Sequence, residues 1–334
     1  MVAMVPSPLI LNWFFHLITL SFILAFLLFS LFTLAFIFHF HLKARNNHYL
    51  RDFNSLWAVR TLLVSFIALW ALTESLRLPL RLIHRSLFIH FPFLPHLLTL
   101  QQQANLCRIH VVLSLGLFEP GFLATLLFLV NVSVSIRQRN HTATTSTALY
   151  IVSAYCLPNL LLQVLFVYFP ASSSKYTRLP EALSHSFVFI TDGGDGNNVL
   201  CAYPLSSSIS FGAFGVGYAL SFLLSSWRVI SLVINKGLRV RIYVLSLAVL
   251  LALPTQILFL AIFSVLLNPY DLVFQGLALL VFLCVLSCAV VAVGILVIWP
   301  IGDSLAVAGG MCGDRPASSA AETDGIGFTG EEGG

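Results

Sequence analysis

Along this chain, apolar residues gather into long stretches that are greasy on every side, and short polar stretches separate each from its successor. Strands of a membrane barrel would alternate polar and apolar positions over about ten residues, and these stretches do not alternate. A helix rises about 1.5 Å per residue, so about 20 apolar residues carry it through a hydrocarbon layer roughly 30 Å thick with every backbone group bonded internally. The pattern predicts seven spans, near residues 13–38, 56–77, 108–135, 147–169, 207–233, 241–267 and 272–299. The expected fold is all-α: a polytopic membrane protein whose residues 1–300 form a seven-transmembrane-helix bundle.

The connections add detail. The segment SLFIHFPFLPHLLTL, 86–100, is short for a span and holds Pro92 and Pro95; it is expected to lie at the interface or to re-enter, because two helix breakers would leave backbone groups unpaired in lipid. The first apolar run, Leu9 to Phe40, has no basic start and is far longer than the core of a cleavable signal, so it is expected to be retained. In loop four, Pro170 to Ser206, the β-prone runs SHSFVFI and VLCAYPL flank TDGGDGNN, which predicts an outer β-hairpin. Asp192 and Asp195 in its turn lack the spacing of a calcium loop. After Trp299-Pro300 the chain becomes rich in Gly, Ala, Ser and acids, and residues 301–334 are expected to be a disordered acidic cytoplasmic tail.

Composition removes the main alternative. Hydrophobic residues fill 58% of 334 positions and charged residues 9%, whereas soluble domains carry about 25% charged residues. The 17 Lys and Arg sit in short clusters and leave a formal charge of only +4, so nucleic acid is not an expected partner. With seven spans the two ends fall on opposite faces. Eleven of the 17 share the face of the C-terminus, among them Arg45, Arg137, Arg139, Lys236, Arg239 and Arg241, which places the N-terminus outside and the C-terminus in the cytoplasm. Those six residues are the expected surface for a cytoplasmic partner, and the basic loop that holds His39, His41 and Arg45 is expected to meet anionic headgroups. On the outer face lie Cys107, at the mouth of span three, and Cys201, in the hairpin. A disulfide pinning the hairpin to the bundle and a pair of free thiols both fit that placement.

The candidate chemistry lies inside the bilayer. Glu119 falls twelve residues after Cys107, about 18 Å down a straight helix and so near the midplane, where a carboxyl group needs a partner or a proton. Pro120 beside it removes a backbone donor and displaces the carbonyl of Gly116, which predicts a bend and a free acceptor one turn above. Two more spans repeat the pairing of proline with a polar residue: Pro158 with Asn159 and, a turn on, Gln163; and Pro254 with Gln256. Glu119, Asn159, Gln163 and Gln256 are therefore expected either to line a shared ligand cavity or to form hydrogen bonds between helices. Glu74 and Arg77, three apart, share one helix face. Gly215 and Ala219 mark a close helix contact. His39 and His41 diverge on a helix and lack a third ligand, and no HExxH, histidine box, aspartate pair, filter sequence or paired half-helices occurs. No enzymatic activity, metal or cofactor is expected.

Seven spans, an outer N-terminus, a cysteine at the start of span three facing one in loop four, and Pro254 in span six together resemble a G-protein-coupled receptor. Within that class, WAVRTLLVSFIALWALTESLRLP and CRIHVVLSLGLFEPGFLATLLFLVNVS look like plant heptahelical candidate receptors. The inner end of span three reads VSVSIRQRN, without an acid-Arg-Tyr pattern, and NPYD falls in an outer loop instead of span seven. The resemblance implies a receptor-like signalling protein of the plasma membrane or endomembranes, with a small-molecule ligand acting near Glu119 and a cytoplasmic signalling protein as partner. A mid-membrane carboxylate also suits a small-solute transporter or its accessory subunit, and the small-residue faces suit a membrane scaffold.

The orientation makes a direct prediction at the acceptor sequence Asn140-His141-Thr142 in loop three. Expressed in glycosylating cells, the protein should show no glycosidase-sensitive mobility shift from Asn140; a shift would put that loop on the outer side.

Overall fold

The computed structural model describes residues 8–46, 56–77, 100–135, 144–168, 187–192, 196–234, 236–265 and 272–313. In chain order the helices are α1 (Pro8–Asn46), α2 (Trp57–Arg77), α3 (Leu100–Leu113), α4 (Glu119–Ser135), α5 (Thr144–Tyr168), α6 (Leu205–Leu232), α7 (Lys236–Val265), α8 (Leu272–Val293) and α9 (Trp299–Gly313). A π-turn at Ser114–Phe118 joins α3 to α4, and another at Gly294–Ile298 joins α8 to α9. Counting each joined pair once, seven helices among the described residues are long and apolar enough to cross a bilayer. The chain is thus a multi-pass membrane protein. Two short strands, β1 (Phe187–Asp192) and β2 (Gly196–Cys201), pair antiparallel with Phe187 opposite Cys201 and Asp192 opposite Gly196.

Several helix ends differ from the hydropathy reading. α3 begins at Leu100 instead of 108, which puts Cys107 two turns inside the helix and not at its mouth. The polar stretch Gln101-Gln102-Gln103-Ala104 ends the apolar run without ending the helix, since Gln and Ala are good helix formers. α1 likewise runs past Phe38 to Asn46, and α7 starts at Lys236 instead of 241. The expectation of a disordered tail from residue 301 is corrected in its first stretch: α9 stays helical to Gly313. Pro300 does not break it because it lies in the first turn after the π-turn, where its missing N–H costs little. Residues 86–99, Arg137 and Arg139, and the tail beyond residue 313 lie outside the described residues.

Both π-turns end two residues before a proline, and the arithmetic of backbone donors explains why. Proline clashes with the carbonyl four residues before it and offers no N–H. Closing i to i−5 inserts one extra residue, and the amide of Glu119 bonds to the carbonyl of Ser114, as that of Trp299 does to Gly294. The carbonyl of Leu115 then has no amide four or five residues on, because Glu119 is engaged and Pro120 has none. The bend expected at Pro120 is thereby realised as a π-turn, with Leu115 supplying the spare acceptor.

The third span, α3 through α4, occupies the centre. Its most apolar window is 89% buried by protein, against 28–56% for the other spans, which present much of their surface outward. It packs on α2, α5 and α6, while α1 lies on α2 and α8, and α7 bridges α6 and α8. An uninterrupted buried run from Phe118 to Val130 follows from this position. Glycines permit the closest approaches: a Cβ on Gly116 would lie 3.3 Å from the backbone of Leu160, and one on Gly121 would lie 2.6–2.8 Å from three atoms of the Phe66 ring. Gly215 meets Ile257 of α7 in the same way. A disulfide joins Cys107 of α3 to Cys201 at the end of β2, 94 residues on, with Cα atoms 5.2 Å apart.

Two glycine substitutions should separate packing from propensity. Gly121→Ala should destabilise the bundle by about 1–3 kcal/mol through overpacking against Phe66. At Gly217 nothing lies within 4 Å of an added Cβ, so Gly217→Ala should be neutral or raise stability by about 0.5–1 kcal/mol. Thermal unfolding in detergent measures both.

Candidate functional site

Glu119 opens α4 directly after the π-turn, and its carboxyl group sits 5% exposed at the heart of the bundle. Three hydrogens point at it. Trp70 Nε1 of α2 donates to Oε1 over 3.1 Å, Ser114 Oγ donates to the same oxygen over 3.0 Å, and Gln256 Nε2 of α7 donates to Oε2 over 2.6 Å. One carboxyl group thus holds the second, third and sixth spans together. A low-dielectric setting strengthens such hydrogen bonds.

Of the four polar residues expected around one cavity, only Gln256 meets Glu119. Asn159 of α5 instead donates from Nδ2 to the Leu115 carbonyl over 2.7 Å, filling the acceptor that the π-turn and Pro120 release. Gln163 donates from Nε2 to the Ser207 carbonyl of α6 over 3.1 Å. All four side chains therefore take part in hydrogen bonds between helices, the second of the two expected arrangements. Pro158 and Pro254 lie inside α5 and α7 without a π-turn at either.

Trp70 and Ser114 escaped sequence reading for different reasons. At about 100° per residue, positions five apart on a regular helix differ by roughly 140°, so Ser114 is not expected to face Glu119. The π-turn takes up the extra residue and brings both to one side. Trp70 did carry a signal, since a buried indole N–H needs an acceptor, but the sequence could not say which helix supplies it.

A second polar cluster lies one turn along α2. Glu74 is 4% exposed and Arg77 Nη1 lies 3.6 Å from its Oε2, the pairing that their spacing predicts. Fully buried His110 of α3 contacts the Thr73 carbonyl through Nδ1 at 2.9 Å and the Tyr203 hydroxyl through Nε2 at 3.1 Å. A carbonyl only accepts, so Nδ1 carries a hydrogen, and a neutral ring then accepts from Tyr203 at Nε2. Burial first, and the Glu74 carboxylate next, push the Tyr203 phenol above its ordinary range, which keeps it a neutral O–H. Arg77 also lies 6.0 Å from the centre of the Tyr203 ring. His110 is one turn from Cys107, and Tyr203 is two residues past Cys201. The disulfide is thus what brings them together, and accepting that bond from sequence would have found both.

The expected cytoplasmic surface is partly occupied by the protein itself. Arg239 Nη2 donates to the Val233 carbonyl at the end of α6 over 2.8 Å, and Arg241 pairs with Asp303 at 2.6 Å while lying 4.5 Å from the centre of the Trp299 ring. The first contact ties α7 to the end of α6, and the Arg241 contacts clip α7 to α9. Arg45 and Lys236 are exposed.

The fold and its buried polar groups define a seven-helix multi-pass membrane protein organised around a central third span. By its sequence the chain belongs to the family described as uncharacterised conserved protein UCP031277, whose profile matches residues 7–311. No curated protein and no solved structure matches it.

The contact between α2 and α4 is measurable by a double-mutant cycle. Trp70→Phe with Glu119→Gln should show a coupling of about 1 kcal/mol in unfolding free energy. The pair Trp70→Phe with Gln163→Leu, whose side chains share no partner, should be additive.

Proposed function

We propose that the protein is a receptor-like signalling protein in which the Glu119 cluster couples three spans, so that movement begun on one side of the bundle is delivered to the other. The observation that carries this reading is the convergence of Trp70, Ser114 and Gln256 on one buried carboxyl group beside a π-turn. A π-turn can shift its extra residue along a helix, and such a shift would turn Glu119 away from Gln256. In this reading the N-terminus and the disulfide face outward, and Arg45, Lys236 and the loop bearing Arg137 and Arg139 meet a cytoplasmic signalling protein. The resemblance to plant heptahelical candidate receptors agrees with that arrangement.

A transporter reading draws on a different observation, the buried titratable groups Tyr203, His110, Glu74 and Glu119, of which His110 lies 3.1 Å from the Tyr203 hydroxyl and 3.9 Å from the Glu74 carboxyl group. Uptake that depends on pH and vanishes in Glu119→Gln would favour it.

Proximity labelling from a tag on the C-terminus, in cells, tests the signalling reading. Glu119→Gln keeps the size of the side chain but turns one acceptor into a donor facing other donors. It should change the set of labelled cytoplasmic proteins while leaving the amount of folded protein at the membrane within about twofold, since an interhelical hydrogen bond contributes only about 0.6 kcal/mol on average. An unchanged set in both Glu119→Gln and Asn159→Ala would remove the proposal.

A further inference from the structure

Between the latter half of α5 and the first turns of α6 lies a cleft of about 510 Å³, walled by Tyr155, Pro158, Leu162, Phe166, Ile209 and Phe214, with Asn159, Ser206 and Ser210 as polar members. Its volume is that of a small-molecule site. Tyr155, Leu162 and Ile209 are 40–60% exposed on the outside of the bundle, where lipid stands, so the mouth opens sideways into the bilayer and not into water. A purely greasy cleft would be filled by any acyl chain, but Ser210 lines this one, and Gln163 and Ser207 each follow a lining residue, Leu162 and Ser206, in the chain; one polar atom of each of the three lacks a partner among the described residues. Gln163 Oε1, Ser207 Oγ and Ser210 Oγ are buried without a hydrogen bond. Gln163 and Ser207 are themselves 0% exposed and already joined through the Gln163 amide and the Ser207 carbonyl, which places these two residues at one seam between α5 and α6, with Ser210 one turn further along α6. Buried polar atoms without partners carry a cost of about 1–3 kcal/mol each, and a cluster of them beside an open cleft calls for an occupant.

We propose that this cleft binds a neutral hydroxylated lipid that enters from the bilayer, its hydrophobic body against the aromatic and aliphatic wall and its hydroxyl against Ser210 and the Gln163–Ser207 seam. The chemistry selects that class. An amide oxygen needs a donor and a serine hydroxyl takes either role, so one O–H group, which donates and accepts, satisfies both. No charged residue lines the cleft, so an anionic or cationic headgroup would be stranded. Resting on the signalling reading, the same site has a route to Glu119. Asn159 lines the cleft and also holds the Leu115 carbonyl released by the π-turn, so an occupant that draws its amide away frees that carbonyl four residues before Glu119.

Full-length protein in membranes is to be labelled with clickable photoreactive probes of three kinds: a sterol, a long-chain alcohol and a fatty acid. Saturable labelling by the sterol or the alcohol in the peptides covering residues 155–166 and 206–214, competed by the unlabelled compound, is the expected result. Ser210→Ala should weaken it by about tenfold, the loss of one hydrogen bond, and Ala213→Phe, at a wall position, should abolish it by filling the space. Retention of the Cys107–Cys201 bond and monodispersity in detergent confirm that each variant folds. Labelling that does not saturate and matches that of the outward face of α1 at Leu28, Leu31 and Phe32 would mean bulk lipid only and would overturn the proposal, as would saturable labelling by the fatty acid alone. Because the readout is binding, it can succeed with signalling absent: an unchanged partner set alongside saturable labelling removes the coupling and keeps the site.

Discussion

One carboxyl group in a low-dielectric core sets the terms for the rest of this bundle. Glu119 could not be buried without donors, and on a regular helix its own span would offer none, because the same-face positions three and four away, Leu115, Gly116, Phe122 and Leu123, carry no side-chain donor. Trp70 and Gln256 come from α2 and α7, and Ser114 comes from the same span only because a π-turn rotates it into place. Lipid cannot drive apolar helices together as water would, so such hydrogen bonds and close glycine contacts carry the specificity of assembly. Placing the third span at the centre is the arrangement that lets one side chain reach both neighbours.

Proline contributes to this design through what it removes. Pro120 has no amide, Glu119 bonds to Ser114, and Leu115 is left with a carbonyl that the carboxamide of Asn159 fills. Three residues around one turn therefore link the third span to the second, fourth and sixth. One turn of the third span thus meets α2, α5 and α7 through adjacent groups. The two π-turns share this construction, but only the first is adjacent to an acid.

The cluster of Glu74, Arg77, His110 and Tyr203 has a different role. It is built on the disulfide, which fixes α3 against the segment leading into α6 and thereby sets Tyr203 over His110 and Arg77. Buried ion pairs gain little net stability once desolvation is counted, but losing one partner strands the other. The cluster thus specifies how the connection between β2 and α6 seats on the bundle more than it strengthens the seating.

Read alone, the amino-acid sequence determined the number of spans, their approximate places and the residues that could not lie in lipid without partners. The reason is that apolar length and buried charge are local properties of a chain in a membrane. Glu119, Gln256, Asn159 and the Glu74–Arg77 pair were legible on those grounds. Only the tertiary structure decided which of them meet. Whether Asn159 faces Glu119 or the Leu115 carbonyl depends on helix rotation, and helix rotation depends on one inserted residue in a π-turn and on two glycines that let α2 and α5 approach. A hydropathy pattern that is apolar on every side carries no rotational phase, so Trp70, Ser114, His110 and Tyr203 could be placed only by the packing itself.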